Sequence, residues 1–308
     1  MLKEIFKIQE FAWEKISHSE GYEAWRAAKL NATEAAKNLA PVEIDNLSQP
    51  GDSARAELKM RCKCVNFAHY TTDPDTALTL ADSGDTGAAL RSFAGHMGLR
   101  LAETHRSAGK MGIVALQVSD ETSKRGYIPY TTRAMNWHTD GYYNAPQDYI
   151  AGFVLHCVQP AADGGVNELL DPEIAYIRLR DRNPALLHAL MHPRTMSIPE
   201  NREPDGTLRP ESIGPVFFAD PATGRMQMRY TARTRSIAWR DDPATQEAEQ
   251  FLREELGRDP LITRLALTAG QGVLNNNILH NRTGFSDGVG AGRLIYRVRF
   301  HNRVEGND

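Results

Sequence analysis

A chain of 308 residues with 41% hydrophobic and 24% charged side chains has enough apolar material for a full-sized core, which excludes a disordered chain. Its 36 basic and 39 acidic residues leave a net charge of -3, so nothing electrostatic favours nucleic acid as a partner. Residues 1–7 alternate charged and apolar side chains without a signal-peptide core, no stretch is long enough to span a membrane, and three cysteines (Cys62, Cys64, Cys157) form no even disulfide framework; a reduced, cytoplasmic chain is expected.

Over residues 1–40, Ile5, Ile8, Ala12 and Ile16 recur at helical spacing, with Tyr22 and Trp25 beyond them, which predicts one or two helices. Pro50-Gly51 lies in a turn-rich stretch and divides an N-terminal helical extension, 1–50, from a domain over 51–308. A helix is predicted over 86–97, with Asp85 as cap, Leu90, Phe93 and Met97 on one face, and Gly98 as stop. Residues 112–118 read as a strand. Residues 150–158 form a nearly continuous apolar run, the pattern of a strand covered on both faces, and His156 within it reads as a buried, hydrogen-bonded histidine.

Asp171-Pro172 and Asn183-Pro184 each announce a short helix, because a capping side chain followed by proline suits the first helical turn. Residues 215–218 and 225–230 bracket Asp220-Pro221-Ala222-Thr223-Gly224 as a hairpin. Asp242-Pro243 opens a further helix with Ala248, Phe251, Leu252 and Leu256 as its buried stripe. Strands return at 261–267, 272–276 and 293–301. Strands on both sides of a helical insertion, without regular alternation, predict a mainly β fold with helices, of the α+β class: a sandwich or barrel.

Within Asn136-Trp137-His138-Thr139-Asp140-Gly141-Tyr142-Tyr143, His138 and Asp140 have the spacing that puts two side chains on one side of a strand. His280, just after a predicted strand, is the best third ligand if the fold brings it near. Two histidines and a carboxylate on one face of a metal leave three positions open, the arrangement of non-haem Fe(II) oxygenases. Along 293–301, Leu294, Tyr296, Val298 and Phe300 occupy one strand face and Arg293, Ile295, Arg297, Arg299 and His301 the other.

The segments His138-Thr139-Asp140-Gly141-Tyr142-Tyr143, Leu155-His156-Cys157, Gly164-Gly165-Val166-Asn167, Leu279-His280-Asn281-Arg282 and Arg293-Leu294-Ile295-Tyr296-Arg297 resemble the taurine dioxygenase family of Fe(II)/2-oxoglutarate-dependent oxygenases. More narrowly, they are similar to its γ-butyrobetaine and trimethyllysine hydroxylase branch, over residues 90–303. The resemblance implies a double-stranded β-helix, or jelly roll, with helical insertions and iron at one mouth of the barrel. It also implies Fe(II), 2-oxoglutarate and O2 as cofactor and cosubstrates, and hydroxylation of a small molecule with release of succinate and CO2. Arg297 would then pair with the distal carboxylate of 2-oxoglutarate, Asn167 would help hold it, and Arg293 would lie near its chelating end. Two positions depart from the family pattern: Leu274, where an Asp is common, and Asn167, where the taurine enzyme has Thr.

Around the ligands, Trp137, Tyr142 and Tyr143 could face a cationic ammonium group. Arg229, Arg233 and Arg235 could face a carboxylate, sulfonate or phosphonate. A zwitterionic or anionic substrate is expected, and a homo-oligomer is left open. The competing readings are a hydrolytic zinc site with bound water as nucleophile and a non-catalytic ligand sensor on the same barrel.

Overall fold

The computed structural model describes residues 8, 11–16, 21–102, 112–121, 127–202, 206–290 and 292–305. Ten strands build two sheets: β1 Val42–Ile44, β2 Phe67–Thr72, β3 Ile113–Leu116, β4 Met135–His138, β5 Gly152–Gln159, β6 Asn167–Leu170, β7 Thr263–Leu265, β8 Gln271–Asn275, β9 Leu279–Arg282 and β10 Leu294–Phe300. The larger sheet has the order β1-β2-β8-β5-β10-β3 and the smaller β7-β6-β9-β4. All these pairings are antiparallel except β1 with β2.

Alternation decides which side chains meet between the sheets. On β10, Ile295, Arg297 and Arg299 pair with Cys157, Leu155 and Phe153 of β5. Ile295, Phe153, Leu155, Cys157 and Val114 share a core with Leu169 of the smaller sheet, so this is the inner face. Val298 and Phe300 point the other way, with Tyr296 against them, and pack with Val154 under Leu58 and Cys62 of one helix and Leu90 and Phe93 of another. The two-faced pattern expected of residues 293–301 therefore holds along β10, while His301, beyond the strand, is exposed.

Seven helices cover these faces among the described residues: α1 Tyr22–Ala36, α2 Asp52–Val65, α3 Pro74–Ser83, α4 Thr86–His96, α5 Pro172–Arg182, α6 Pro184–Leu190 and α7 Pro243–Glu255. Helical residues outnumber strand residues, which corrects the expectation of a mainly β chain to a mixed α and β one. Sheets whose outer faces are apolar must bury them, and helices do so here. None of these helices is long and apolar enough to cross a membrane.

The proline-marked starts are capped: Asp171 accepts from the Glu173 N–H, Asn183 from Ala185 and Asp242 from Thr245, each worth about 1 kcal/mol. Asp85 does not cap α4 through its side chain, because its own backbone is already helical. Helix α3, not expected from the sequence, ends at Ser83 with Gly84 (φ 74°) as its C-cap, which leaves Asp85 inside the two-residue connecting turn. The hairpin forms between Phe217–Ala219 and Met226–Met228, with the Asp220 carboxylate accepting from the Ala222 and Thr223 N–H groups.

The first fifty residues supply a strand as well as a helix, since β1 extends the larger sheet. Trp13 and Trp25 stand edge-on to Tyr176 of α5, with ring centroids 6.3 and 6.0 Å away. Ile5, predicted on the first helical face, lies outside the described residues. All three cysteines are buried, and none of them forms a disulfide.

Candidate metal centre

His138 ends β4, and its register partner on the neighbouring strand β9 is His280. Directly opposed residues on an antiparallel pair project to the same side. The imidazole centroids accordingly lie 4.2 Å apart. Past His138 the chain turns, and Asp140 brings its carboxylate Oδ1 to 3.9 Å from His138 Nε2. One donor atom each from His138, Asp140 and His280 fall within 4.8 Å of one another, and all three residues are buried. The structure thus brings together the three ligands expected from sequence.

The turn is pinned from two sides. Asn277, itself in the left-handed region (φ 53°), accepts the Asp140 N–H at 2.7 Å and donates to the Asp140 carbonyl at 3.0 Å and the Ile150 carbonyl at 2.7 Å. The Thr139 N–H donates to the Tyr230 carbonyl, and its hydroxyl accepts the Tyr230 N–H, both at 3.0 Å. Gly141 (φ 69°) follows, where a Cβ would meet Ile150 Cγ1 at 2.5 Å, so neither backbone nor space admits a side chain.

Each histidine places Nδ1 beside a backbone carbonyl two residues earlier, Asn136 at 2.8 Å and Ile278 at 2.9 Å. A carbonyl only accepts, so Nδ1 carries the proton and the Nε2 lone pair is free for a metal. Burial pushes both imidazoles below their usual range, His280 down to about 3. Burial alone would raise Asp140, but Arg297 Nη1 at 3.3 Å and Arg299 Nε at 2.8 Å hold its carboxyl well below the usual carboxylate range. Two neutral imidazoles and a carboxylate therefore stand ready near neutral pH, a donor set that suits iron.

The arginines of β10 stand at different distances from the triad. Arg297 touches a metal ligand, which places it at the metal end. Arg293 lies four residues along the chain, roughly 13 Å of strand, with its guanidinium over the Phe285 ring at 5.2 Å. Arg282 lies over the same ring at 4.7 Å and is the register partner of Asn167. Arg293, Arg282 and Asn167 thus gather at the far end of the chamber. Nε of Arg297 and Nε of Arg282 are buried without a hydrogen-bond partner, as is Nε of Arg229, while Arg282 Nη2 donates to the Thr131 and Arg133 carbonyls.

The expected substrate wall divides. Trp137, on the opposite face of β4 from His138, packs into the outer core with Leu256 and Leu261, away from the ligands. Tyr142 stands edge-on to His138 at 6.3 Å, and its hydroxyl accepts from Arg233 Nη1 at 3.2 Å. The Tyr143 hydroxyl accepts from Arg299 Nη1 at 3.2 Å. Arg229 is buried and spent on the Met196 and Ser212 carbonyls, and Arg235 is exposed. His156 bonds the Tyr70 hydroxyl at 3.0 Å on the outer face, away from the metal ligands. A cavity of about 210 Å³ lies beside the turn, lined by Asp140, Gly141, Tyr142, Ile150, Phe218 and Met228 but by neither ligand histidine.

Residues 76–299 match the family model described as taurine catabolism dioxygenase TauD, TfdA family. The chain belongs to the TauD/TfdA family. Two relatives are uridine-5'-phosphate dioxygenases, one from Streptomyces sp (28% identical over 175 residues, 54% of this chain) and one from Amycolatopsis sp (26% over 175 residues, 55% of this chain). Each match spans 62% of the relative's length. Among solved structures, this TauD/TfdA chain resembles asparagine oxygenase in complex with Fe(II), 2S,3S-3-hydroxyasparagine and succinate, with TM-score 0.58 and 14% identity over 99% of this chain and 90% of that one. It also resembles the non-heme iron oxygenase OrfP in complex with Fe, succinate and (3R,4R)-dihydroxy-L-Arg, with TM-score 0.62 and 13% identity over 85% and 83%. At such identities the likeness is one of fold.

Three residues that shape this centre had no role assigned from sequence. Arg299 was visible on the arginine face of β10. Asn277 had only a weak signal, as the last of three successive asparagines before His280, and Arg282 had none beyond its motif.

Proposed function

We propose that this chain is an Fe(II)- and 2-oxoglutarate-dependent dioxygenase that hydroxylates a small anionic molecule, on a double-stranded β-helix core within residues 51–308. The observation that carries the reading is the buried triad of deprotonated ligands beside arginines whose charge exceeds that of Asp140. Support for the jelly roll comes from β3 to β10, which pass between two facing antiparallel sheets.

Bound iron would supply the oxidative chemistry, coupling decarboxylation of 2-oxoglutarate to hydroxylation of a C–H bond. His138, Asp140 and His280 would hold it. At the far end, Arg293 and Asn167 would take the distal carboxylate, a planar guanidinium being suited to a two-point contact. Arg297, beside Asp140, would face the chelating end. This reverses the two arginine roles implied by resemblance, because a guanidinium 3.3 Å from a metal ligand cannot also reach the remote end.

For the substrate, Tyr142, Tyr143 and Arg233 form the wall nearest the ligands. Arg233 has no carboxylate partner among the described residues, and its donors go to Tyr142, Arg235 and Ser236. An anion gains there, whereas the quaternary ammonium group of a betaine would be repelled. The carboxylate of a zwitterion would gain from that charge as well, with its ammonium group held away from Arg233. The relatives named for a nucleoside phosphate agree with an anionic substrate.

Anaerobic addition of Fe(II) and 2-oxoglutarate should produce a visible charge-transfer band that the His138→Ala protein lacks. An unchanged spectrum in the parent protein would sink the reading, and succinate formation would eliminate a hydrolytic zinc enzyme.

A further inference from the structure

The two oxygens of Asp140 are held differently. Oδ1 faces the triad, 3.9 Å from His138 Nε2, and Arg297 Nη1 touches it at 3.3 Å. Oδ2 accepts from Arg299 Nε at 2.8 Å. Arg299 also donates through Nη1 to the Tyr143 hydroxyl, three residues past Asp140 and on the same turn. Its side chain is buried on the inner face of β10 opposite Phe153, so it reaches Oδ2 from a sheet rather than from a mobile loop.

We infer that Arg299 is a positioning residue that occupies Oδ2, so that Asp140 meets the metal through Oδ1 alone. A carboxylate can bind a cation through one oxygen or both. Three open metal positions remain only if Asp140 takes one, and a bidentate aspartate would consume a position needed by cosubstrate or dioxygen. Arg297 is not placed to serve in this way, because its contact is with Oδ1, the oxygen that faces the histidines. Arg299 keeps its contact with and without the ion, and its second bond to Tyr143 fixes the guanidinium plane.

Two effects oppose each other. As a cation, Arg299 repels an incoming dication, yet it holds the ligand in its productive orientation. Partners that orient metal ligands are worth about 10–100-fold in affinity. Orientation is therefore taken to outweigh repulsion between charges on opposite sides of one carboxylate. This inference rests on the triad being a metal site and not on the identity of any cosubstrate.

The test is titration of the metal-free full chain with Co(II), without 2-oxoglutarate or oxygen, reading affinity and the visible ligand-field spectrum. Arg299→Met should weaken Co(II) about 10–100-fold and alter band positions or intensities, since a freed carboxylate changes the coordination. Arg299→Lys should recover much of both, and Tyr143→Phe should cost less than Arg299→Met, because it removes one charge-assisted bond of the guanidinium and leaves its contact with Oδ2 in place. If Arg299→Met does not fold, Arg299→Gln takes its place in the series. Unchanged or tighter binding in Arg299→Met would overturn the inference. So would weaker binding with a parental spectrum, the outcome of a merely structural role. Because no cosubstrate is present, failure here leaves the charge-transfer test of the oxygenase reading intact, and the converse also holds.

Discussion

Two buried charged clusters in this molecule are built on opposite rules. In the first, Lys29 donates to Asp171 and Glu173, both at 2.6 Å, and to the Cys64 carbonyl at 2.7 Å. Asn66 links Asp171 to Arg303, so two cations face two carboxylates and the charges close. In the second, the buried Arg282, Arg293, Arg297 and Arg299 have, among the described residues, only the Asp140 carboxylate in ion-pair contact, and two of their Nε atoms lack partners. Burying charge is costly unless it is paired, so a balanced cluster reads as structure, whereas a surplus reads as a site awaiting a ligand. The first cluster ties α1 to the start of α5 and to the C-terminal segment; the second lines the metal chamber.

The largest effect should come from the chamber itself: His280→Ala removes one of three ligands, and metal uptake and turnover should both fall below detection. Next, Lys29→Met would leave Asp171 and Glu173 buried without their main partner. Denaturant unfolding should then show a loss of about 3–5 kcal/mol while the folded fraction keeps its metal affinity. Arg293→Met should behave in the opposite way, with stability unchanged or higher and 2-oxoglutarate affinity down about 10–100-fold, as for loss of a charged two-point contact. If both variants lost stability alike, the distinction between the clusters would fail.

A smaller, pH-dependent effect lies outside both clusters. Burial pushes His156 from its usual 6.5 down to about 4. The folded chain therefore binds this proton more weakly than the unfolded one, so stability is intact above pH 6.5 and lost as pH falls toward 4. The shift is worth about 3 kcal/mol, and the parent should lose that much more than His156→Gln between pH 7 and pH 4. The smallest expected effect is at the substrate wall: Arg233→Met should raise KM for an anionic substrate about tenfold, as for one exposed charge-assisted bond, with KM for 2-oxoglutarate unchanged.

Much of this was legible in the sequence where the physics is local. Proline after a capping side chain marked three helix starts, alternation along β10 separated arginines from aromatics, and His-x-Asp spacing placed two ligands on one side. Long-range register was not legible. That His280 falls opposite His138 depends on pairing across 142 positions, and the order of Arg293 and Arg297 depends on which end of β10 meets Asp140. Trp137 was misplaced for a different reason: adjacency to a ligand suggested proximity, while strand alternation sends neighbours to opposite faces. Helix α3 was missed although its start carries the same mark, Asp73 capping ahead of Pro74; only Gly84 and Asp85 separate it from α4, so the two short helices read as one stretch.

The most direct test of the central claim, that surplus buried positive charge marks the seat of a dianionic cosubstrate, is a comparison of two keto acids. Binding of 2-oxoglutarate and of 2-oxopentanoate, which lacks the distal carboxylate, would be measured anaerobically to the metal-loaded protein and to its Arg293→Met variant. The parent should prefer 2-oxoglutarate by about 100-fold or more, the scale of a buried charge-assisted pair, and Arg293→Met should erase most of that preference. Equal binding of the two acids by the parent, or a preference that survives in Arg293→Met, would contradict the account.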